Sequence, residues 1–380
     1  MIDDAIFVTG APRSGTTLLE RLLAAQDGIS MLSQPFPLLF LEAKRAFFAT
    51  LGIGDEPYPL GHLFLETRYR SGALARFLGG WRAGRADLDA WFARMARYSG
   101  QYTRFDTLRL DAAFGQITPA DDFAGVVNKL DRLLGTSPDA RWYGSKETIG
   151  EEFIPALLDR GFRCIVILRD PRDIAASLNH GRGTEFSGSL KPTLFNIRTW
   201  RKSVAFVLEH DGRPRFHWCR YEDLVTDPGG ELVRLATATG LGPIARERVE
   251  GELRDAAGAV WRGNSSHREH RGVGTSSVGA YRNVLPREVA EMIEASCLPE
   301  MQCLGYDTTL TRSRALQVID EFREPYHISR SELACDGATP ENATIEARRL
   351  QQVSEPPGDD PPLWFVFERA HARLRAAFRP

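Results

Sequence analysis

Long apolar runs are missing from this 380-residue chain; Pro37 to Leu41 is typical of the longest. That is far below the ~20 residues that cross a bilayer, so no membrane span is expected. Cysteine is scarce: Cys164, Cys219, Cys297, Cys303 and Cys335 are odd in number, scattered, and lack any C-x-x-C pair. This argues against a disulfide framework and a cysteine-ligated zinc site, and predicts a reducing compartment. Charge of one sign is not in excess either. The 48 Lys and Arg against 50 Asp and Glu leave a formal −2, which gives no basis for a nucleic-acid partner. The first β-like run starts within five residues of Met1, so we expect no leader or anchor and a cytoplasmic protein. The Asn-x-Ser/Thr triplets at Asn264 and Asn342 mean nothing in that setting.

What is present begins with Ala5-Ile6-Phe7-Val8, then Gly10-Ala11-Pro12-Arg13-Ser14-Gly15-Thr16-Thr17, then the apolar-faced Leu18 to Leu23. That order is strand, small-residue turn, helix. Such a turn points successive N–H groups and a helix N-terminus at one place, making an anion site. Against the triphosphate loop G-x-x-x-x-G-K-[ST] it keeps both glycines and the final hydroxyl, but Thr16 fills the lysine slot. The cation comes three residues earlier, as Arg13. The loop suits an anionic 5′ group on a nucleotide other than a triphosphate.

Three more strand–helix units follow. Arg141 to Lys146 precedes a helix at Glu151 to Arg160. Cys164 to Leu168 is a continuous apolar run ending at Arg169, with helix-start signals at Asp170 and Pro171. Phe216 to Tyr221 leads into Glu222-Asp223-Leu224 and a helix around Glu231 to Thr239. Four candidate strands thus carry Gly10, Lys146, Arg169 and Tyr221 at their carboxyl ends, the edge where open parallel sheets bind ligands. The fold class is α/β: a P-loop-type parallel sheet flanked by helices, with a helical insertion after the first βα unit and a C-terminal helical extension. We divide the chain into 1–310, with the insert at about 38–130, and an extension at 311–380. The insert interleaves aromatics with arginines, either as amphipathic helices with solvated faces or as an acceptor-binding cap. The extension ends in Leu363-Trp364-Phe365-Val366-Phe367, with Ala370, Leu374 and Phe378 continuing one helical face, which docks on the body, or else forms a homodimer contact or lies on a membrane surface.

A second anion site lies at Arg169-Asp170-Pro171-Arg172-Asp173, with Ser177 eight residues beyond Arg169. A guanidinium and a hydroxyl two helical turns in can hold a phosphate together. Two anion sites on one sheet edge imply a ligand with two separate phosphates. These paired loops resemble the sulfotransferase family, which uses 3′-phosphoadenosine 5′-phosphosulfate (PAPS). So do Tyr221-Glu222-Asp223-Leu224, Val278-Gly279-Ala280-Tyr281-Arg282 and Leu304-Gly305-Tyr306-Asp307. The loop region is most similar to the protein-tyrosine sulfotransferases and bacterial relatives. By that resemblance Arg13, Ser14, Gly15, Thr16 and Thr17 hold the 5′-phosphosulfate, Arg169 and Ser177 the 3′-phosphate, and Tyr221, Tyr281 and Arg282 contact the nucleotide. Lys146 then stabilises the transferring group, Ser265 assists, Arg182 contacts nucleotide or acceptor, and no metal is needed. The acceptor is a small molecule, glycan or peptide presenting a hydroxyl or, less readily, an amine.

The pattern breaks at the base. Tyrosine sulfotransferases carry glutamate at the position of Gln34, and cytosolic small-molecule members carry histidine at that of Thr148. Gln34 can orient an acceptor hydroxyl but cannot take its proton. Glu147 beside Lys146 and His267 beside Ser265 are the first candidates for that task, with His180 and His62 behind them. Two other functions compete: a P-loop nucleotide kinase or NTPase, and a PAPS-binding relative without catalysis.

Overall fold

The apolar run at 164–168 forms the interior of strand β4 (Arg163–Leu168), buried along its whole length. A computed structural model describes residues 1–54, 60–61, 72–95, 107–181, 189–249, 251–254, 259–261, 273–355 and 365–379. In it β4 pairs in parallel with β1 (Ala5–Thr9) and with β5 (Phe216–Arg220). On the other side of β1 lie β3 (Trp142–Lys146) and then β2 (Ile29–Ser33), giving the parallel order β2-β3-β1-β4-β5. The four strands expected from the sequence are joined by a fifth. Residues 29–33, Ile-Ser-Met-Leu-Ser, are too mixed in polarity to stand out as a strand, and they form one by pairing along β3.

Helices cover both faces. Helix α1 (Thr16–Ala24) leaves β1 toward one face, where Leu18, Leu19, Leu22 and Leu23 pack with Ile6, Val8, Ile165 and Ile167. Between β2 and β3 the chain adds α2 (Pro37–Thr50), α3 (Ala73–Gly80), α4 (Arg85–Met95), α5 (Thr107–Gly115) and α6 (Phe123–Leu134). Their aromatics are not all solvated: Trp81 and Phe92 are buried, and Phe40 packs on Phe7 of β1, ring centres 5.5 Å apart. Helix α7 (Ile154–Arg160) returns the chain to β4. Then α8 (Pro171–Asn179) leaves β4 toward the face opposite α1, followed by α9 (Thr193–His210). The loops after β1 and β4 therefore diverge to opposite faces. That divergence opens a crevice at their carboxyl ends, the topological switch point where such sheets bind ligands.

After β5 come α10 (Tyr221–Thr226) and α11 (Pro228–Thr239), then α12 (Tyr281–Val284) and α13 (Arg287–Cys303). The last helices are α14 (Arg312–Glu321), α15 (Pro340–Gln352) and α16 (Glu368–Ala377). Phe365, Ala370, Leu374 and Phe378 join the main hydrophobic core. Among the described residues no helix is long and apolar enough to cross a membrane.

Candidate active site

Two backbone requirements shape the loop after β1. A Cβ on Gly10 would sit 2.5 Å from the Ile167 carbonyl of the neighbouring strand. Gly15 has φ 105°, and a Cβ there would meet the Tyr221 ring at 2.5 Å. Arg13 itself takes a left-handed φ of 67°, which costs a non-glycine residue roughly 1–2 kcal/mol. Gly15 caps α1 without any side-chain hydrogen bond, so no side chain of the cap occupies the helix N-terminus. Ser14 Oγ is buried there without a hydrogen-bond partner.

The β4 side of the crevice is knitted to this loop. Arg13 Nε donates to Ser177 Oγ at 2.9 Å, so α8 brings its hydroxyl back to the sheet edge. Arg169 donates from Nη1 to the Arg13 carbonyl at 3.2 Å and from Nη2 to the Ser277 carbonyl at 2.6 Å, while its Nε has no partner among the described residues. Its guanidinium lies 4.6 Å from the centre of the Tyr221 ring, and the Tyr221 hydroxyl shares a 2.7 Å bond with Ser277 Oγ. Asp173 accepts the N–H groups of Gly279 and Tyr281 at 2.7 and 2.9 Å. This fastens the segment carrying Tyr281 and Arg282 to α8, with the Arg282 guanidinium 4.8 Å from the Tyr281 ring centre. Ser277 escaped the sequence reading because a serine in a Gly/Ser-rich loop carries no pattern of its own.

The β3 side is different. Successive strand residues point to opposite faces. Trp142 joins the core under α1, whereas Ser145 donates to Asp131 of α6 on the other face. Lys146 therefore shares the α1 face, and Glu147 shares the α2/α6 face. Lys146 Nζ donates to Gln34 Oε1 at 3.1 Å, and Gln34 Nε2 donates to Thr148 Oγ1 at 3.2 Å. The two positions that depart from the sulfotransferase pattern are thus bonded to each other and to the lysine. Gln34 adopts φ 45°, held by its N–H on the Lys146 carbonyl at 2.7 Å. Burial pushes the Lys146 ammonium well below the ordinary lysine range; Glu20 and Glu147 oppose that shift, and Arg21 and Arg13 add to it.

Glu147 is engaged elsewhere: its Oε1 accepts the Phe36 N–H at 2.7 Å, at the start of α2. Burial raises its carboxyl far above the ordinary range, against the Phe36 N–H and Lys146, which lower it. His180 Nε2 lies 2.7 Å from the Tyr326 hydroxyl, at the end of α8 away from the crevice. Ser265, His267, Arg182 and His62 lie outside the described residues. The structure therefore brings together Arg13, Arg169, Ser177 and Tyr221 on one side of the α1 N-terminus, and Lys146 with Gln34 on the other. Such an arrangement can bind a doubly anionic ligand along the crevice and stabilise charge that develops near the lysine.

The family model described as the sulfotransferase family matches residues 5–243. Nodulation protein NoeE of Sinorhizobium fredii is 28% identical over 336 residues, spanning 83% of this chain and 68% of that protein. The sulfotransferase domain of the Synechococcus PCC 7002 olefin synthase aligns over 81% of this chain and 96% of its own, with 18% identity and a TM-score of 0.48. A mouse sulfotransferase complexed with PAP aligns over 79% and 85%, with 13% identity and a TM-score of 0.39.

Proposed function

The chain belongs to the sulfotransferase family, and on that premise we propose that it transfers a sulfuryl group from PAPS to a hydroxyl of a small-molecule, glycan or peptide acceptor. The observation that carries this reading is the bridge from Arg13 to Ser177, which joins the loop at the α1 N-terminus to the strand-end Arg169. That crevice suits a nucleotide with phosphates at both ends. Among the described residues the unpartnered Ser14 Oγ and Arg169 Nε are donors without an acceptor inside it, and the bare glycine at position 15 lets the Tyr221 ring close against the loop.

In this reading the N–H groups of residues 14–17 and the Arg13 side chain bind the 5′-phosphosulfate, and Arg169 with Ser177 binds the 3′-phosphate. Tyr221, already stacked on Arg169, lines the nucleotide. Lys146 donates a proton-bearing cation to charge growing on the leaving oxygen and on the sulfuryl oxygens. One preorganised donor of this kind lowers the barrier by ~3 kcal/mol. Gln34 is oriented by Lys146 and Thr148 and so holds the acceptor hydroxyl in line, while the acceptor's proton leaves to His267, the candidate base beside Ser265, or to water.

Transfer of radiolabelled sulfate from PAPS to a panel of hydroxylated acceptors, without added metal, tests the proposal. We expect a labelled product, and tight calorimetric binding of adenosine 3′,5′-bisphosphate. A requirement for ATP and Mg²⁺ would overturn it in favour of a kinase. Binding without transfer to any acceptor or to water would overturn the catalytic reading in favour of a PAPS-binding protein.

A further inference from the structure

Helix α1 buries Leu18, Leu19, Leu22 and Leu23 in one apolar cluster, and among them stands a carboxylate. Glu20 is 0% exposed, and among the described residues only the Ser33 hydroxyl and Arg21 act directly on its carboxylate, too little to offset its burial. Among the described residues its one close ion pair is Arg21 Nη1, 3.3 Å away on the same helix. An under-compensated carboxylate in an apolar cluster costs several kcal/mol and returns nothing to folding that a leucine would not return. Buried ionisable groups of this kind mark functional sites when a charge partner faces them from a cleft.

The geometry supplies that partner. Strand alternation sends Ser33 and Lys146, paired across β2 and β3, toward the α1 face. Glu20 lies one helical turn beyond Thr16 on the helix that covers this face, and Lys146 and Ser33 are among the groups that act on its carboxylate. Resting on the reading of Lys146 as the transfer cation, we infer that Glu20 is a positioning residue, whose buried carboxylate keeps the Lys146 ammonium charged and aimed along α1 toward the crevice.

The groups around the lysine leave this task to Glu20. From the loop comes Arg13 and from α1 Arg21, both of which favour the neutral amine; the β2–α2 turn contributes only the uncharged Gln34. Of the two carboxyls, Glu147 is committed to Phe36 and burial drives it toward its neutral form. Burial also raises Glu20, but Arg21, Lys146 and the Ser33 hydroxyl all act to restore its charge.

The test uses the full chain and release of inorganic sulfate from PAPS with water as acceptor, followed across pH. The alkaline limb of that profile reports loss of the Lys146 proton. Glu20→Gln should move the limb about one pH unit toward acid, the size expected for losing one nearby opposite charge, and Glu20→Asp should largely restore it. Should the glutamine variant fail to fold, Glu20→Met, which suits the apolar face of α1, takes its place with the same expected shift. A folded Glu20→Gln or Glu20→Met with its limb at the wild-type pH overturns the inference and leaves Glu20 as the ion-pair partner of Arg21. Lys146→Ala separates the two levels. If it releases sulfate at the wild-type rate, the role of Lys146 falls and Glu20 falls with it. If it loses activity while the Glu20→Gln limb stays put, only the inference about Glu20 fails.

Discussion

Arg198, Arg201 and Arg349 are buried as deeply as Lys146, yet the two clusters of charge are built in opposite ways. Arg198 donates to Glu346 at 3.0 Å, Asp336 at 2.9 Å and Asn342 at 2.7 Å, filling all three of its nitrogens. Arg201 grips the same Glu346 through both carboxylate oxygens, at 2.6 and 3.1 Å, and Arg349 pairs with Glu300. Three guanidiniums thus meet three carboxylates where α9, α13 and α15 converge. Burial alone would push Glu346 up; Arg201 and Arg198 overcome it and hold the carboxyl down at about 2. At the sheet edge burial acts too, but among the described residues Lys146 hydrogen-bonds one amide, Gln34, and burial outweighs Glu20 and Glu147. Desolvation is common to both places. Whether it produces a locked joint or a tunable group depends on how completely the chain compensates it.

The comparison can be broken from either end. Glu346→Ala should leave Arg198 and Arg201 under-compensated and cost ~3–5 kcal/mol, read as a lower urea midpoint at unchanged slope. The same residue sets an acid limit. Its folded value near 2 lies below the unfolded 4.5, so its stabilisation is complete above 4.5 and is lost as pH falls toward 2. Wild type should therefore lose melting temperature steeply between those values, and the alanine variant less.

Lys146→Ala should act on the barrier. We expect ~3 kcal/mol, or about 10²–10³ in sulfate-transfer rate, with a smaller stability loss than at Glu346. Gly15→Ala forces a Cβ into the left-handed region and against Tyr221. Its expected effect is ~1–2 kcal/mol, seen as roughly tenfold weaker calorimetric binding of adenosine 3′,5′-bisphosphate. The smallest effect is the most pointed. Gln34→Glu places a carboxylate against Lys146 Nζ, so the lysine should hold its proton to higher pH. The alkaline limb of the rate profile should then rise by about one unit; an unmoved limb would show that the lysine is already fully compensated.

These two clusters also separate what a sequence discloses from what it conceals. The loop 10–17, the apolar 164–168 and the helix start at Asp170-Pro171 announce themselves, because strand burial and turn chemistry are local. The convergence of Arg13, Arg169, Ser177 and Tyr221 at one sheet edge was legible for that reason. Helix α9 was not, because apolar periodicity fails when a helix is buried all round and carries Arg198, Arg201 and Lys202 inward. Glu20 reads as an ordinary helical residue until β2 and β3 are seen opposite it. The link from Gln34 to Thr148 is equally silent, since it joins residues 114 apart in the chain.

The position of β1 has a consequence for how the chain comes to be folded. This strand lies at the middle of the sheet, yet its partners are remote: Ala5 faces Tyr143 on one side, and Ile6 faces Arg163 on the other. During synthesis the first strand emerges long before either neighbour exists, with its backbone groups unpaired and Ile6, Phe7 and Val8 uncovered. Such long-range parallel pairing is slow, and its intermediates are prone to associate. The loop that defines the site is therefore made well before the strands that give it its shape.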